Sequence, residues 1–206
     1  ARAGVVGRAA HVEIDEVGRD EPRETATDPR HRDAPQQRRP RHRADRRVHP
    51  RRIAAAGHGG QVLLLPGGVQ ASLDPQLAAK GVIFTDLATA ERQHPQVLER
   101  VLSQVVRSDE GKFAALAGAL AQTGVLLYVP RGVQVDQPMQ SILWGPGVGL
   151  AYISHLLVWV DDGASLTYVH EAASPTEVDG QTLHAGLVEI HVGEGANLRF
   201  VELQSW

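Results

Sequence analysis

The chain contains no cysteine. That excludes a disulfide framework, a thiol nucleophile, a cysteine-ligated zinc site and a thiolate-held cluster within these residues. Aromatic residues are scarce, at 4% of the sequence, and all of them lie at or after Phe84. Lysine occurs only at Lys80 and Lys112, and the first leucine is Leu63. Long apolar runs are missing too. The longest, such as Val62–Leu65 and Leu156–Val160, are strand-sized, far short of the ~20 residues that cross a bilayer as a helix. No apolar run of ~7–15 residues follows the start, so nothing there resembles a secretory signal. The expectation is a soluble, cytoplasmic protein.

What is present is unevenly spread. The 206 residues carry a formal net charge of -3. Residues 1–60 hold 14 Arg against 9 acidic residues, a balance of +5, whereas residues 61–206 hold 5 Arg, 2 Lys and 15 acidic residues, a balance of -8. Arg, His, Pro and Asp dominate the first part, as in Asp28-Pro29-Arg30-His31-Arg32 and Arg38-Arg39-Pro40-Arg41-His42-Arg43. With neither leucine nor aromatics, little can be buried to offset the entropy of ordering. Three readings compete. The segment is a disordered, solvated tail; or a basic arm that neutralises nucleic-acid phosphates, although acidic residues are interspersed and no aromatic is there to stack on bases; or a GC-rich coding stretch read out of frame. The last explains the excess of Arg, Ala, Pro, Gly and His, and translating the other two frames tests it. At the other end, Val201–Trp206 alternates and stops on a large aromatic. Together with a first residue that is not methionine, this reads as a fragment cut inside a strand.

From Gln61 the pattern changes. Val62–Leu65, Pro66-Gly67-Gly68 and Val69 predict a strand–turn–strand hairpin. Lys80–Phe84 is a further extended run. Thr85 and Asp86 are N-cap types before a helix over Ala88–Gln93. Pro95 suits the first turn of a second helix running to about Val106. Val97, Leu98, Val101, Leu102 and Val105 fall on one face of it. A third helix is expected over Lys112–Ala121, burying Phe113, Leu116, Ala117 and Leu120, with Gly124 closing the unit. From Val125 the period becomes two, with strands over 126–129, 153–160, 165–169, 187–192 and 198–203 separated by glycine turns. Val160–Val169 also aligns with Val192–Val201 at an offset of 32 residues, with Gly163 on Gly195 and a weaker copy at Val129–Val133. Glycine-punctuated short strands suggest a β-solenoid, and a sandwich gives a similar pattern.

The chemistry on offer is thin. Gly145-Pro146-Gly147-Val148-Gly149 has the spacing of no phosphate-binding fingerprint and reads as a wide turn. No Gly-x-Ser-x-Gly elbow is present. His155, His170, His184 and His191 are the candidate metal ligands, yet their spacing imitates no metal motif. Glu189 and His191 share one face of a strand. A solvated outer face is favoured over metal binding there, with Val188, Ile190 and Val192 buried behind.

Several blocks then fall in one collinear order. They are Lys80–Leu87, His94-Pro95, Lys112–Leu116, Leu127–Val133, Gln137–Ser141, Gly163-Ala164, Thr167–Val169, Ala173–Pro175, Leu183-His184, Val188–Ile190, Gly193–Ala196 and Val201–Trp206. In these blocks residues 80–206 resemble the SufB/SufD family of iron–sulfur cluster assembly proteins. Thr85-Asp86 and Leu143-Trp144 look more like SufD than SufB. The resemblance implies a mainly β fold: a right-handed parallel β-helix, incomplete here, preceded by a small helical unit. The segments are then 1–60, a strand/helical region 61–124, and the start of the β-helix core over 125–206. It implies a non-catalytic scaffold subunit that works with a SufB-like paralogue and a SufC-like ABC-type ATPase. Iron or a transient Fe–S cluster is handled by the full complex, and no cofactor is bound by these residues. The family's sulfur- and iron-handling residues have no counterpart in this sequence, so no catalytic or cofactor residue is carried over. Residues 1–60 do not resemble the family. A solenoid ending mid-stack exposes a strand edge, so the chain alone is expected to be poorly soluble. The alternatives are a β-solenoid carbohydrate enzyme, for which paired carboxylates such as Asp161-Asp162 and aromatic platforms are needed, and a basic-tailed nucleic-acid binder.

Overall fold

A computed structural model describes residues 11–18, 57–121, 123–145, 147, 149–174 and 181–205. The remaining positions of the Arg-rich segment, 1–10 and 19–56, lie outside the described residues. Within that segment His11–Gly18 forms strand β1.

Gly60–Leu65 (β2) and Gly68–Leu73 (β3) make the expected antiparallel hairpin. Pro75–Ala79 (α1) follows, capped by the Asp74 side chain on the Gln76 N–H. Ile83–Asp86 (β4) leads into Leu87–Gln93 (α2), whose N-cap is Asp86 bonded to the Thr89 N–H at 2.9 Å. Pro95–Val101 (α3) and Lys112–Leu120 (α4) complete the helices. Six strands then run Thr123–Val129 (β5), Met139–Trp144 (β6), Ala151–Val160 (β7), Ser165–Ala173 (β8), Leu183–Val192 (β9) and Asn197–Ser205 (β10).

These strands alternate between two sheets. One has the order β1-β10-β8-β6-β2-β3 and the other β4-β5-β7-β9. Each strand after β6 lies parallel to the one two places earlier. The 32-residue offset is realised as strand register: Leu166, Tyr168 and Val169 face Leu198, Phe200 and Val201. Gly132, Gly163 and Gly195 stack at one corner with φ of 72°, 65° and 65°. There Gly132 N–H bonds the Asp162 carbonyl, and Gly163 N–H bonds that of Glu194, both at 2.9 Å. A β-carbon strains this left-handed conformation, which is why glycine recurs.

Apolar side chains from both sheets meet between them. Val125, Leu127 and Val129 face Leu166, Tyr168, Leu198 and Phe200. Phe84 meets Tyr168 edge to face at 5.9 Å. A second core, of Ala90, Val101, Leu126 and Leu157, lies where α2 and α3 cover the outer face of the four-stranded sheet. The edge expectation holds only in part. β10 is paired by β1, whereas among the described residues β9 has a strand on one side only.

Two helical expectations need correcting. α3 ends at Val101, not near Val106. The N–H groups of Ser103, Val105 and Val106, which would extend the helix ladder, bond the Glu189 carboxylate instead, and Ser103 takes a φ of 57°. Leu102 and Val105 are left exposed. In α4, only Ala117 of the expected apolar face is buried, while Phe113 is 70% and Leu120 53% exposed.

Candidate functional site

The four candidate histidines fall on two faces of the sheets. Strand parity puts His170 and His184 between the sheets and His155 and His191 on the outer face of the second sheet.

The inner group forms a polar layer at one end of the apolar interior. Register aligns Ser141, His170 and Glu202 across β6, β8 and β10. Ser141 Oγ lies 2.6 Å from the Tyr168 hydroxyl and 2.7 Å from His170 Nδ1. From the opposite sheet, Ser154 Oγ lies 2.9 Å from His184 Nε2, and the Tyr152 and His184 rings are 5.7 Å apart. Burial, helped by the nearby His184 charge, pushes His170 down to about 4. Burial also lowers His184, against the pull of the Glu202 carboxylate. The Tyr168 phenol is pushed up by burial, against its bond to Ser141. At neutral pH the His170–Tyr168 part of the layer is thus an uncharged hydrogen-bonded set. Ser141 thus links the Tyr168 hydroxyl to the His170 ring.

The outer group acts differently. His155 Nε2–H donates to Glu189 Oε1 at 2.7 Å, and both side chains are buried. The same carboxylate accepts the Ser103 N–H at 3.2 Å and the Val105 and Val106 N–H groups at 3.0 Å each. Glu189 is 1% exposed, so the solvated-face expectation fails at this residue: the loop after α3 lies over it. His191 stacks on Trp159 at 3.8 Å. Register continues this row to Tyr128. Asp161 accepts from Trp159 Nε1 and the Tyr128 hydroxyl, and the Arg100 guanidinium sits 5.0 Å over the Tyr128 ring. His191 is lowered by burial, with Asp161 and Asp162 opposing.

The histidines are therefore distributed over separate assemblies. Among the described residues no group of three or more His, Cys, Asp or Glu is placed to hold a metal ion. The Asp161-Asp162 pair is divided as well. Asp162 bonds Arg131 at 2.7 Å and the Glu194 N–H at 2.8 Å, so the two carboxylates brace the corner rather than flank a substrate. No described helix is long and apolar enough to cross a membrane. Ser141, Ser154 and Tyr168 were not legible as site residues. Their only signal is polar residues at inward positions of strands.

Comparison with known proteins adds to this geometry. The model of the SufBD protein N-terminal region matches residues 65–141. That of the SufBD core domain of the SUF iron–sulfur cluster assembly system matches residues 144–206. Iron–sulfur cluster assembly SufBD family proteins of Staphylococcus haemolyticus and Staphylococcus epidermidis are each 31% identical over 135 residues, and one of Staphylococcus aureus is 30% identical over the same length. The alignments cover 66% of this chain and 29% of each relative. The chain thus spans less than a third of the length of these relatives.

Proposed function

The chain belongs to the SufBD family of iron–sulfur cluster assembly proteins, and from that premise we propose that it serves as a non-catalytic subunit of a SUF-type scaffold. In this reading it assembles in the cytoplasm with a SufB-like paralogue and a SufC-like ABC-type ATPase. Iron or a nascent cluster is cargo of the whole assembly and not a resident group of these residues. The supporting observation is the order of parts. β3, the helices and β5 lie in the match to the family's N-terminal region and lead into β7–β10, which lie in the match to its core. The stacked corner glycines, 31 and 32 residues apart, and the alternating parallel strands support reading this part as a right-handed parallel β-helix. The burial of Ser141, Tyr168 and His170 away from solvent supports a structural role for that layer. Thr85-Asp86 and Leu143-Trp144 favour a SufD-like place in the assembly.

The test is co-purification. The tagged product of the complete gene, expressed with a SufB-like and a SufC-like protein, is expected to be retained with both in fixed stoichiometry. Recovery of the other two as a pair without it would overturn the proposal.

A further inference from the structure

Helix α4 buries Ala117 and half-buries Ala114 and Leu116, while Phe113 and Leu120 stand exposed. An α-helix advances 100° per residue. On that wheel Phe113, Leu116 and Leu120 form one stripe, and Ala114, Ala117, Gly118 and Ala121 form another about 100° round from it. The small stripe lines a groove of about 540 Å³ whose other walls include Leu87, Leu98 and Leu187. Most of the large stripe is outside, with Phe113 70% and Leu120 53% exposed and Leu116 half-buried. This groove, whose walls also carry Asp86, Glu91, Ser108 and His155, thus lies beside an apolar stripe of the same helix that does not fill it.

The helix is tethered so that it can turn. Its N-cap is Gly111, which has no side chain to bond the first turn. Residues 102–111 before it form neither helix nor strand. Ala121 after it is extended. Passing a single residue across a helix end rolls the helix by about 100° and shifts it by about 1.5 Å, which is the roll that separates the two stripes.

We propose that α4 is a two-position lid. One position is seen here, with the groove open and Phe113 and Leu120 of the stripe outward. In the other, α4 has rolled by one residue and that stripe fills the groove. The roll moves an apolar patch between solvent and interior, so it sets whether α4 offers a sticky face to another protein. This inference does not rest on the scaffold reading.

The lack of cysteine makes the test direct, because a single introduced thiol is unique. Maleimide labelling of Leu120→Cys in the full chain is compared with a short cysteine peptide. A dominant closed position slows labelling about tenfold or more. Ala88→Phe, in the groove wall contributed by α2, is designed to block closure and is expected to restore the peptide rate. Phe113→Cys, at a position 70% exposed here, replaces Leu120→Cys if a urea melt shows the latter unfolded. Peptide-rate labelling in both backgrounds overturns the proposal, since the stripe is then always outside. Slow labelling in both also overturns it, since something other than the groove covers the stripe. Protection that disappears on dilution assigns the cover to a second copy and overturns it as well.

Discussion

Removing the Glu189 carboxylate is expected to unpin the loop after α3. In Glu189→Ala, three backbone N–H groups and the buried His155 ring lose one shared acceptor. Breaking a buried hydrogen-bonded pair from one side costs about 3–5 kcal/mol. The loop amides recover part of this by reaching water, so the lower end of that range is expected. A domain is stable by about 5–15 kcal/mol, so the loss is a large fraction of the total. Glu189→Gln keeps the shape and one acceptor oxygen, and is expected to cost about half as much, because a single neutral bond contributes about 1 kcal/mol. Urea unfolding followed by tryptophan fluorescence measures the loss. Hydrogen exchange should show the Ser103, Val105 and Val106 amides exposed at much lower denaturant than those of β7. Acid adds a second readout. Burial alone would raise the Glu189 carboxyl, but the His155 bond and the Val106 and Val105 amides outweigh it and hold the group low. The unfolded chain therefore takes up the proton first. The latch contributes fully above the unfolded carboxylate range, near ~4.3, and is lost as pH falls through the folded value. Glu189→Gln should flatten that acid loss. A change below ~1 kcal/mol in Glu189→Ala, the scale of one ordinary hydrogen bond, with unaltered exchange at the three amides, would refute the reasoning.

Three further outcomes are expected. Gly124→Ala puts a methyl into the His155 carbonyl and Leu87, an overpacking worth about 3 kcal/mol; a urea midpoint equal to wild type would contradict it. His170 has a folded value of about 4 against about 6.5 in the unfolded chain. The unfolded state thus binds the extra proton, and stability present above the unfolded value falls by about 3 kcal/mol as pH drops through that window. His170 ring signals that titrate near 6.5 by NMR would remove the basis for this. Tyr168→Phe deletes the hydroxyl beside Ser141, which keeps its His170 partner, and should cost about 1–2 kcal/mol; a loss as large as that of Glu189→Ala would mean that the inner layer acts as one unit.

Much of the strand framework was legible because period two and turn glycines are local signals. The offset of Gly163 and Gly195 became stacked corners with the same φ. Asp86 and Pro95 took the cap and first-turn positions that their chemistry suits. Three elements escaped notice: β1, in the segment read as a tail, an arm or an out-of-frame stretch, and then α1 and β6. α1 carries an Asp74-Pro75 start but only five residues, too few to show a period. β6 has Gln140 and Ser141 in its first half, which breaks its apolar run. The candidate site was harder for a different reason. Periodicity tells which residues share a face, but not what comes to lie on that face. Glu189 and His191 do share one, yet the loop over Glu189 lies more than 80 residues earlier in the chain. The same holds for α4, whose apolar stripe was read correctly as a stripe and wrongly as buried.

The corner links also act as a reading frame in space. Asp161–Ala164 joins β7 to β8, and Gly193–Ala196 joins β9 to β10. The link lengths set which alternate residues of the next strand point inward. Loss of one residue from the first link offers two escapes. Either β8 slides by one position, turning Leu166 and Tyr168 outward and Thr167 and Val169 inward, or the corner reopens and Gly163 loses its place above Gly132. Either outcome passes to β10, whose register is taken from β8. Substitutions in this chain are local events, whereas odd-numbered insertions and deletions at that corner are not: each one rewrites which residues of β8 and β10 face inside and outside.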